Sequence, residues 1–277
     1  MAGHPLAGLI GLLMLVTTPV LGATTAAGGT ADGGTAEDAA RWDLLHDLYF
    51  KDRPVEDAGD RMRIDAPARA YDAALVPVRV EVEPSLHLKS LSLIIDNNPV
   101  PLAATVRFGP ASAGNSIETR VRVNEYTNVR AVGETADGRL MMTRVFVKAA
   151  GGCSAPAVKD PQEALARLGR IKVNLPDTVM AGSPATAQLL ISHPNSSGLQ
   201  FDQVSRTYIP AHYIRSIAIR YGGQPVLDID TDISISEDPN IRFSFVPGTG
   251  GSLEVVAQDT KGATFTRTVP VKTGPAL

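Results

Sequence analysis

Short runs of strict alternation constrain this chain more than any other feature. Residues 75–82 (LVPVRVEV) place Val76, Val78, Val80 and Val82 on one face and Arg79 and Glu81 on the other. A period of two builds a strand with one buried face and is incompatible with a helix. Runs of strand composition follow at 88–95, 103–108, 119–124, 128–135 and 139–148. Asp96-Asn97-Asn98-Pro99 turns the chain after one of them, and Asp137-Gly138 is a two-residue hairpin signal. The Gly/Ser/Asn-rich stretch 109–116 reads as a loop. Strand composition returns at 170–175, 185–192, 214–221, 226–235, 241–246, 253–259 and 263–271, with hairpins marked by Gly222-Gly223 and Lys261-Gly262. Count and spacing predict an all-β chain of two immunoglobulin-like β-sandwich domains in tandem. The halves are similar in size but share no sequence repeat.

Two helical interruptions are expected. Thr35 followed by Asp38 is a capping-box signature, predicting a short N-terminal helix to about Phe50, ended by Pro54. Trp42, Leu45, Leu48 and Tyr49 share one face of it, and Trp42, the sole tryptophan, reads as the anchor that docks it on a sheet. Between the halves, Asp160-Pro161-Gln162-Glu163 begins a short helical linker that Gly169 stops.

The N-terminus reads as an export signal. Residues 6–16 (LAGLIGLLMLV) are apolar over signal-peptide length and too short to span a bilayer, and Val20-Leu21-Gly22 offers a cleavage site. The expected organisation is a signal peptide at 1–22, a flexible leader at 23–36, a first domain at 37–153, a linker at 154–168 and a second domain at 169–277. Cleavage would leave an exported protein with no membrane attachment, since no other run is long enough to span. A net charge of −3 supplies no basic field for a phosphate backbone, which argues against nucleic-acid binding.

Few residues invite chemistry. The histidines His4, His46, His87, His193 and His212 show no metal-ligand spacing, so structural roles, no metal and no cofactor are expected. Asp228, Asp230 and Asp232 imitate the start of a calcium loop, but Ile233 and Pro239 occupy the positions that need Gly and Glu. They read as a solvated strand face. Asn195-Ser196-Ser197 fits the glycosylation pattern, a short match that occurs often by chance. No nucleophile elbow or phosphate loop is present. Cys153, the only cysteine, follows Gly151-Gly152 and precedes Ser154-Ala155-Pro156. Its neighbours offer no apolar face, so an exposed thiol on a mobile connector is expected, with Gly151 and Gly152 freeing the backbone. The nearest cations along the chain are Lys148 and Lys159. With an ordinary pKa of about 8.5 such a thiol is poorly ionised at neutral pH, which suits a carrier activated by a partner.

The residues resemble a known pair of families. Residues 91–99 (LSLIIDNNP), Pro101-Leu102-Ala103-Ala104, Thr119-Arg120-Val121-Arg122, 128–132 (NVRAV) and Gly151-Gly152-Cys153 resemble subunit Y of the bacterial Sox thiosulfate-oxidation system. Residues 170–178 (RIKVNLPDT), Ala181-Gly182, 190–194 (LISHP) and Ile209-Pro210 resemble its partner, subunit Z. The order of the two is that of the fused carriers associated with quinoprotein (PQQ-type) dehydrogenases. The resemblance implies a non-enzymatic periplasmic carrier of two immunoglobulin-like domains. Sulfur intermediates would be held covalently on Cys153 as a thiosulfonate or persulfide, with Gly151 and Gly152 as the carrier arm. The two domains would pair within the chain, the second docking near the arm. Partners would be Sox-type cytochromes and hydrolases. The other reading is an accessory protein of a quinoprotein dehydrogenase, with the thiol in docking or redox sensing. Two departures stand out: Ser154-Ala155 replaces the family's second glycine pair, and the arm is internal rather than terminal.

Overall fold

Thr35 opens the first element as the sequence predicts. Its hydroxyl accepts the Asp38 N–H while the Asp38 carboxylate accepts the Thr35 N–H, closing the capping box. This computed structural model describes residues 1, 3, 34–156 and 161–274. The expected signal peptide, most of the leader and the Asp160 helix cap lie outside the described residues.

The first half comprises α1 (Ala36–Phe50), β1 (Val55–Asp57), β2 (Met62–Asp65), β3 (Val76–Val82), β4 (Leu88–Ile95), β5 (Leu102–Phe108), β6 (Ser112–Val121), β7 (Thr127–Thr135) and β8 (Leu140–Val147). The second begins with α2 (Pro161–Ala166), β9 (Ile171–Asn174), β10 (Val179–Met180) and β11 (Ala185–Ile191). It continues with β12 (Phe201–Asp202), β13 (Thr207–Tyr208), β14 (Ile214–Tyr221) and β15 (Gln224–Thr231). β16 (Asn240–Phe245), β17 (Ser252–Asp259), β18 (Thr264–Pro270) and β19 (Thr273–Gly274) complete it.

Each half is a two-layer sandwich, and the layers are continuous across the halves. One sheet runs β1-β8-β7-β4-β5-β15-β14-β17-β18 and the other β2-β3-β6-β16-β11-β9. The antiparallel pairs β5·β15 and β6·β16 make the seam. A single apolar core, from Val76, Val78 and Val80 to Phe243, Phe245 and Val255, fills the space between the layers.

Two expectations change. The stretch 109–116 is largely β6 rather than a loop. Its polar composition is tolerated because its strand portion is pinned at both ends, Ser112 pairing with Phe245 of β16 and Ser116 with Glu81 of β3. In α1, Leu45 and Phe50 are buried against Ile94, Val132 and Leu140, whereas Leu48 is exposed. Trp42 is half-buried and does anchor the helix. The guanidinium of Arg130 lies 4.3 Å from its ring centroid, and Arg130 Nε donates to both Asp96 carboxylate oxygens at 2.9 and 2.8 Å. Arg41 Nε adds a 2.8 Å bond to the Asp96 carbonyl oxygen.

Candidate functional site

β6 ends at Val121, and the chain turns inward to put Arg122 and Val123 in the interior. A strand continuing past Val121 would have left Arg122 beside exposed Arg120. Instead the Arg122 N–H donates to the Ser234 carbonyl at 2.8 Å, and the Asn98 side-chain amide donates to the Arg122 carbonyl at 2.7 Å and to the Ser234 hydroxyl at 2.9 Å. Both halves thus fix the place where the chain returns after β8.

There the Gly151–Ser154 turn is stitched down. Gly151 N–H donates to Asn124 O at 2.8 Å, Gly152 N–H to Val123 O at 3.0 Å and Ser154 N–H to Gly151 O at 3.2 Å. Gly151 takes φ +79° and faces solvent, the left-handed conformation that glycine adopts without strain. Gly152 serves another need. A Cβ on it would sit 2.0 Å from the Ala73 carbonyl oxygen, so only glycine allows the backbones this close.

The expectation of an exposed thiol on a mobile connector is overturned. Cys153 has no exposed surface. The apolar face missing from its immediate neighbours is replaced by distant segments. The second half supplies the lid: Ser197 Oγ donates to the Cys153 carbonyl, and Gln200 Nε2 donates to the Ala155 carbonyl at 2.9 Å. The turn's outer surface, at Gly151, Ser154 and Pro156, remains exposed. Cys153 is therefore a surface turn with its side chain pointing inward.

The cation beside the thiol is Arg122 rather than Lys148, and Lys159 lies outside the described residues. Arg122, itself 1% exposed, donates from Nη1 to Gly152 O at 3.3 Å and from Nη2 to Asn195 O at 3.3 Å. Burial pushes the Cys153 thiol up to about 11, against the pull of Arg122. Burial likewise lowers Arg122, while Glu237, Cys153 and Asp72 favour its charge through space. In this state the sulfur is a neutral, sheltered thiol; as a nucleophile it has to be uncovered.

The structure brings His193 and His212 together, which their spacing did not suggest. Their ring centroids are 4.5 Å apart, and with Asp259 they form a buried set whose ligand atoms lie within 4.8 Å of one another. The donor set does not suit a metal. His193 Nδ1 accepts the Asn195 N–H at 3.1 Å, which places the proton of the neutral ring on Nε2, the atom facing Asp259 Oδ2 at 3.7 Å. Burial draws His193 down to about 4, so it stays neutral. His212 Nε2 is 2.8 Å from Asp259 Oδ2, and Asp259 Oδ1 accepts Lys261 and Ala263 N–H at 2.9 and 2.8 Å. His212 and Asp259 thus make a hydrogen-bonded anchor at one end of the segment that carries Asn195, Ser197 and Gln200, and at the other end the His193 backbone N–H donates to Asp238 Oδ1 at 3.0 Å.

His4 lies outside the described residues, and the other candidates described have structural roles. His46 Nε2 contacts Arg53 O and His87 Nδ1 contacts Ser85 O, each at 2.8 Å. Asp228 pairs with Arg220 and Asp230 with Arg107 across the strands, so these carboxylates hold arginines rather than a cation. Asn195 is buried and its Oδ1 accepts Ile214 N–H, which removes the glycosylation reading.

Comparison with known proteins agrees with the two-part organisation. Residues 46–153 match the family model of the sulfur oxidation protein SoxY, and residues 171–270 match that of the sulphur oxidation protein SoxZ. No curated protein matches the chain. Among solved structures, the sulfur carrier protein SoxY from Chlorobium limicola f thiosulfatophilum aligns at 23% identity over 40% of this chain and 94% of its own, with TM-score 0.35. The superoxide reductase (neelaredoxin) E23A from Ignicoccus hospitalis aligns at 14% identity over 42% and 89%, with TM-score 0.30. Two different family models, in tandem and together spanning most of the molecule, make the chain a SoxYZ-type fusion, a SoxY domain followed by a SoxZ domain.

Proposed function

We propose that this protein is a periplasmic, non-enzymatic carrier that holds sulfur-oxidation intermediates covalently on Cys153, as a thiosulfonate or persulfide, and presents them to partner enzymes. Membership of the SoxY and SoxZ families supports the carrier role in sulfur oxidation. The observation that carries the assignment to Cys153 is its position. The chain's only cysteine ends the SoxY match, on a glycine turn covered by side chains of the SoxZ half.

Loading from thiosulfate joins its outer sulfur to the Cys153 sulfur, releases the thiol proton and removes two electrons. A redox partner of the cytochrome class would take those electrons, and a hydrolase would discharge the product. The internal arm needs no long reach: opening the Gly151–Ser154 turn exposes the sulfur. The apolar run at 6–16 supports export, and N-terminal sequencing of the mature protein tests it.

Tetrathionate tests the carrier role without a redox partner. Thiolate attack on a central sulfur breaks the S–S bond, expels thiosulfate and leaves an S-linked thiosulfonate. Intact mass spectrometry should show one such group per chain, lost in Cys153→Ser. A protein that takes no adduct on Cys153 is not this carrier.

A further inference from the structure

Two arginines are almost wholly buried, and they are not treated alike. Arg130 has the Asp96 carboxylate at 2.8 Å. Arg122 has only two carbonyl oxygens, each at the long distance of 3.3 Å, and its Nε–H has no partner. A guanidinium presents five N–H donors in a planar fork that matches an oxyanion, so Arg122 is buried with donors to spare. Desolvating a cation without an anion beside it is costly, and an interior normally compensates it. The charges acting on Arg122 are Glu237, the Cys153 sulfur and Asp72. Of these, Cys153 immediately follows Gly152, whose carbonyl Arg122 holds.

We propose that Arg122 is the anion subsite of the carrier thiol, whose Nε–H and Nη–H receive a sulfonate oxygen at the free end of a cargo bound to Cys153, in place of the Gly152 carbonyl. This rests on the carrier reading of Cys153. Cys153 has no exposed surface, so a bulky group on its sulfur has to displace the turn. Displacement withdraws the Gly152 carbonyl from Nη1 and opens that edge of the fork. A sulfonate then gives the guanidinium the anion it lacks, whereas an uncharged adduct gives it nothing. Arg122 so acts as a positioning and selecting residue, favouring cargo that ends in an oxyanion.

The test compares two adducts on the full chain. Tetrathionate installs the anionic thiosulfonate as above. Methyl methanethiosulfonate installs a neutral methylthio group, the thiolate attacking the sulfenyl sulfur and methanesulfinate leaving. In Arg122→Gln, dithiothreitol should remove the thiosulfonate about tenfold faster than in wild type, the loss of one charge-assisted hydrogen bond. Removal of the methylthio group should be unchanged, and Arg122→Lys should restore part of the difference. Equal acceleration of both adducts, or of neither, overturns the proposal. Should the variants fail to fold, nitrogen-15 NMR of wild type decides: the Arg122 Nε–H resonance should move with the thiosulfonate and not with the methylthio group. An unmoved resonance, or the same shift for both, overturns the subsite while the carrier role stands. A Cys153 that takes no thiosulfonate ends both.

Discussion

A methyl group on Gly152 would lie 2.0 Å from the Ala73 carbonyl oxygen and 2.7 Å from that of Val123, while one on Gly151 would meet nothing within 4 Å. Gly152→Ala therefore has to move backbone. It should destabilise the protein by about 3 kcal/mol or spring the turn open, with faster alkylation of Cys153. Gly151→Ala meets only the strain of its positive φ, about 1 kcal/mol, and should leave the thiol sheltered. Equal labelling rates in the two variants would refute this division of labour. The thiol itself has a pH signature. With its pKa raised to about 11, native alkylation should climb until well above pH 9, while the urea-unfolded chain levels off near the free value. A raised pKa also means that stability is intact below the unfolded pKa and falls as pH rises towards 11. Cys153 stands out in the sequence as a candidate because it is the only thiol; its burial does not. The turn is held by Ser197, Gln200 and Arg122, which grip the carbonyls of Cys153, Ala155 and Gly152 and are all remote in sequence, so chain neighbours alone could not reveal it.

The segment from His193 to His212 works as a clamp. Asn195, Ser197 and Gln200 on it reach Arg122, Cys153 and Ala155; His212 ties one end to Asp259, and the His193 backbone N–H ties the other to Asp238 Oδ1. Loosening the clamp without touching the turn, by Ser197→Ala with Gln200→Ala, should raise the Cys153 labelling rate about tenfold, the worth of one to two buried hydrogen bonds. An unchanged rate would mean that the turn opens by another route. The fastening should be sensitive to acid. His193 is held down to about 4 by burial and by His212, with Asp259 and the Asn195 contact pulling the other way. The neutral ring therefore contributes stability above pH 6.5, lost as pH falls towards 4, on the order of 3 kcal/mol in all. Urea unfolding between pH 4 and 7 should show that slope in wild type and a shallower one in His193→Gln. At this scale sequence reading succeeded where information is local: the Thr35 capping box, the Asp137-Gly138, Gly222-Gly223 and Lys261-Gly262 hairpins, and the Val76–Val82 alternation all stand. It missed the first part of β6, because residues 112–116 carry no strand propensity of their own. Neighbouring strands pin only the ends of this segment, Ser112 opposite Phe245 and Ser116 opposite Glu81, with Gly114 between them at a positive φ.

Tandem sandwiches could sit like beads, each closed and joined by the linker, or share their sheets. The seam shows why this chain does the latter. β5 gives its outer edge to β15 over Ala104–Phe108 paired with Leu227–Thr231, and β6 gives its edge to β16. A polar plug reinforces the ladders: Asp232 N–H donates to Ala103 O and Ser236 N–H to Arg120 O, while the hydroxyls of Ser234 and Ser236 reach Val100 O and Ala74 O. Parting the halves would leave two unpaired strand edges and an open apolar core on each piece, the condition under which sheets aggregate. The covalent link between the halves is thus a convenience of synthesis, and the sheets hold them. Inserting a protease site between Pro156 and Pro161 and cutting the folded protein should leave the fragments together on size exclusion at about micromolar concentration, as an extensive apolar interface requires. Either half expressed alone should aggregate, and co-expression of the two should restore a soluble pair. Cut fragments that elute separately, each monomeric and folded, would show that the shared sheets are not what joins them. They would also remove the means by which Ser197 and Gln200 of one half hold the Cys153 turn of the other.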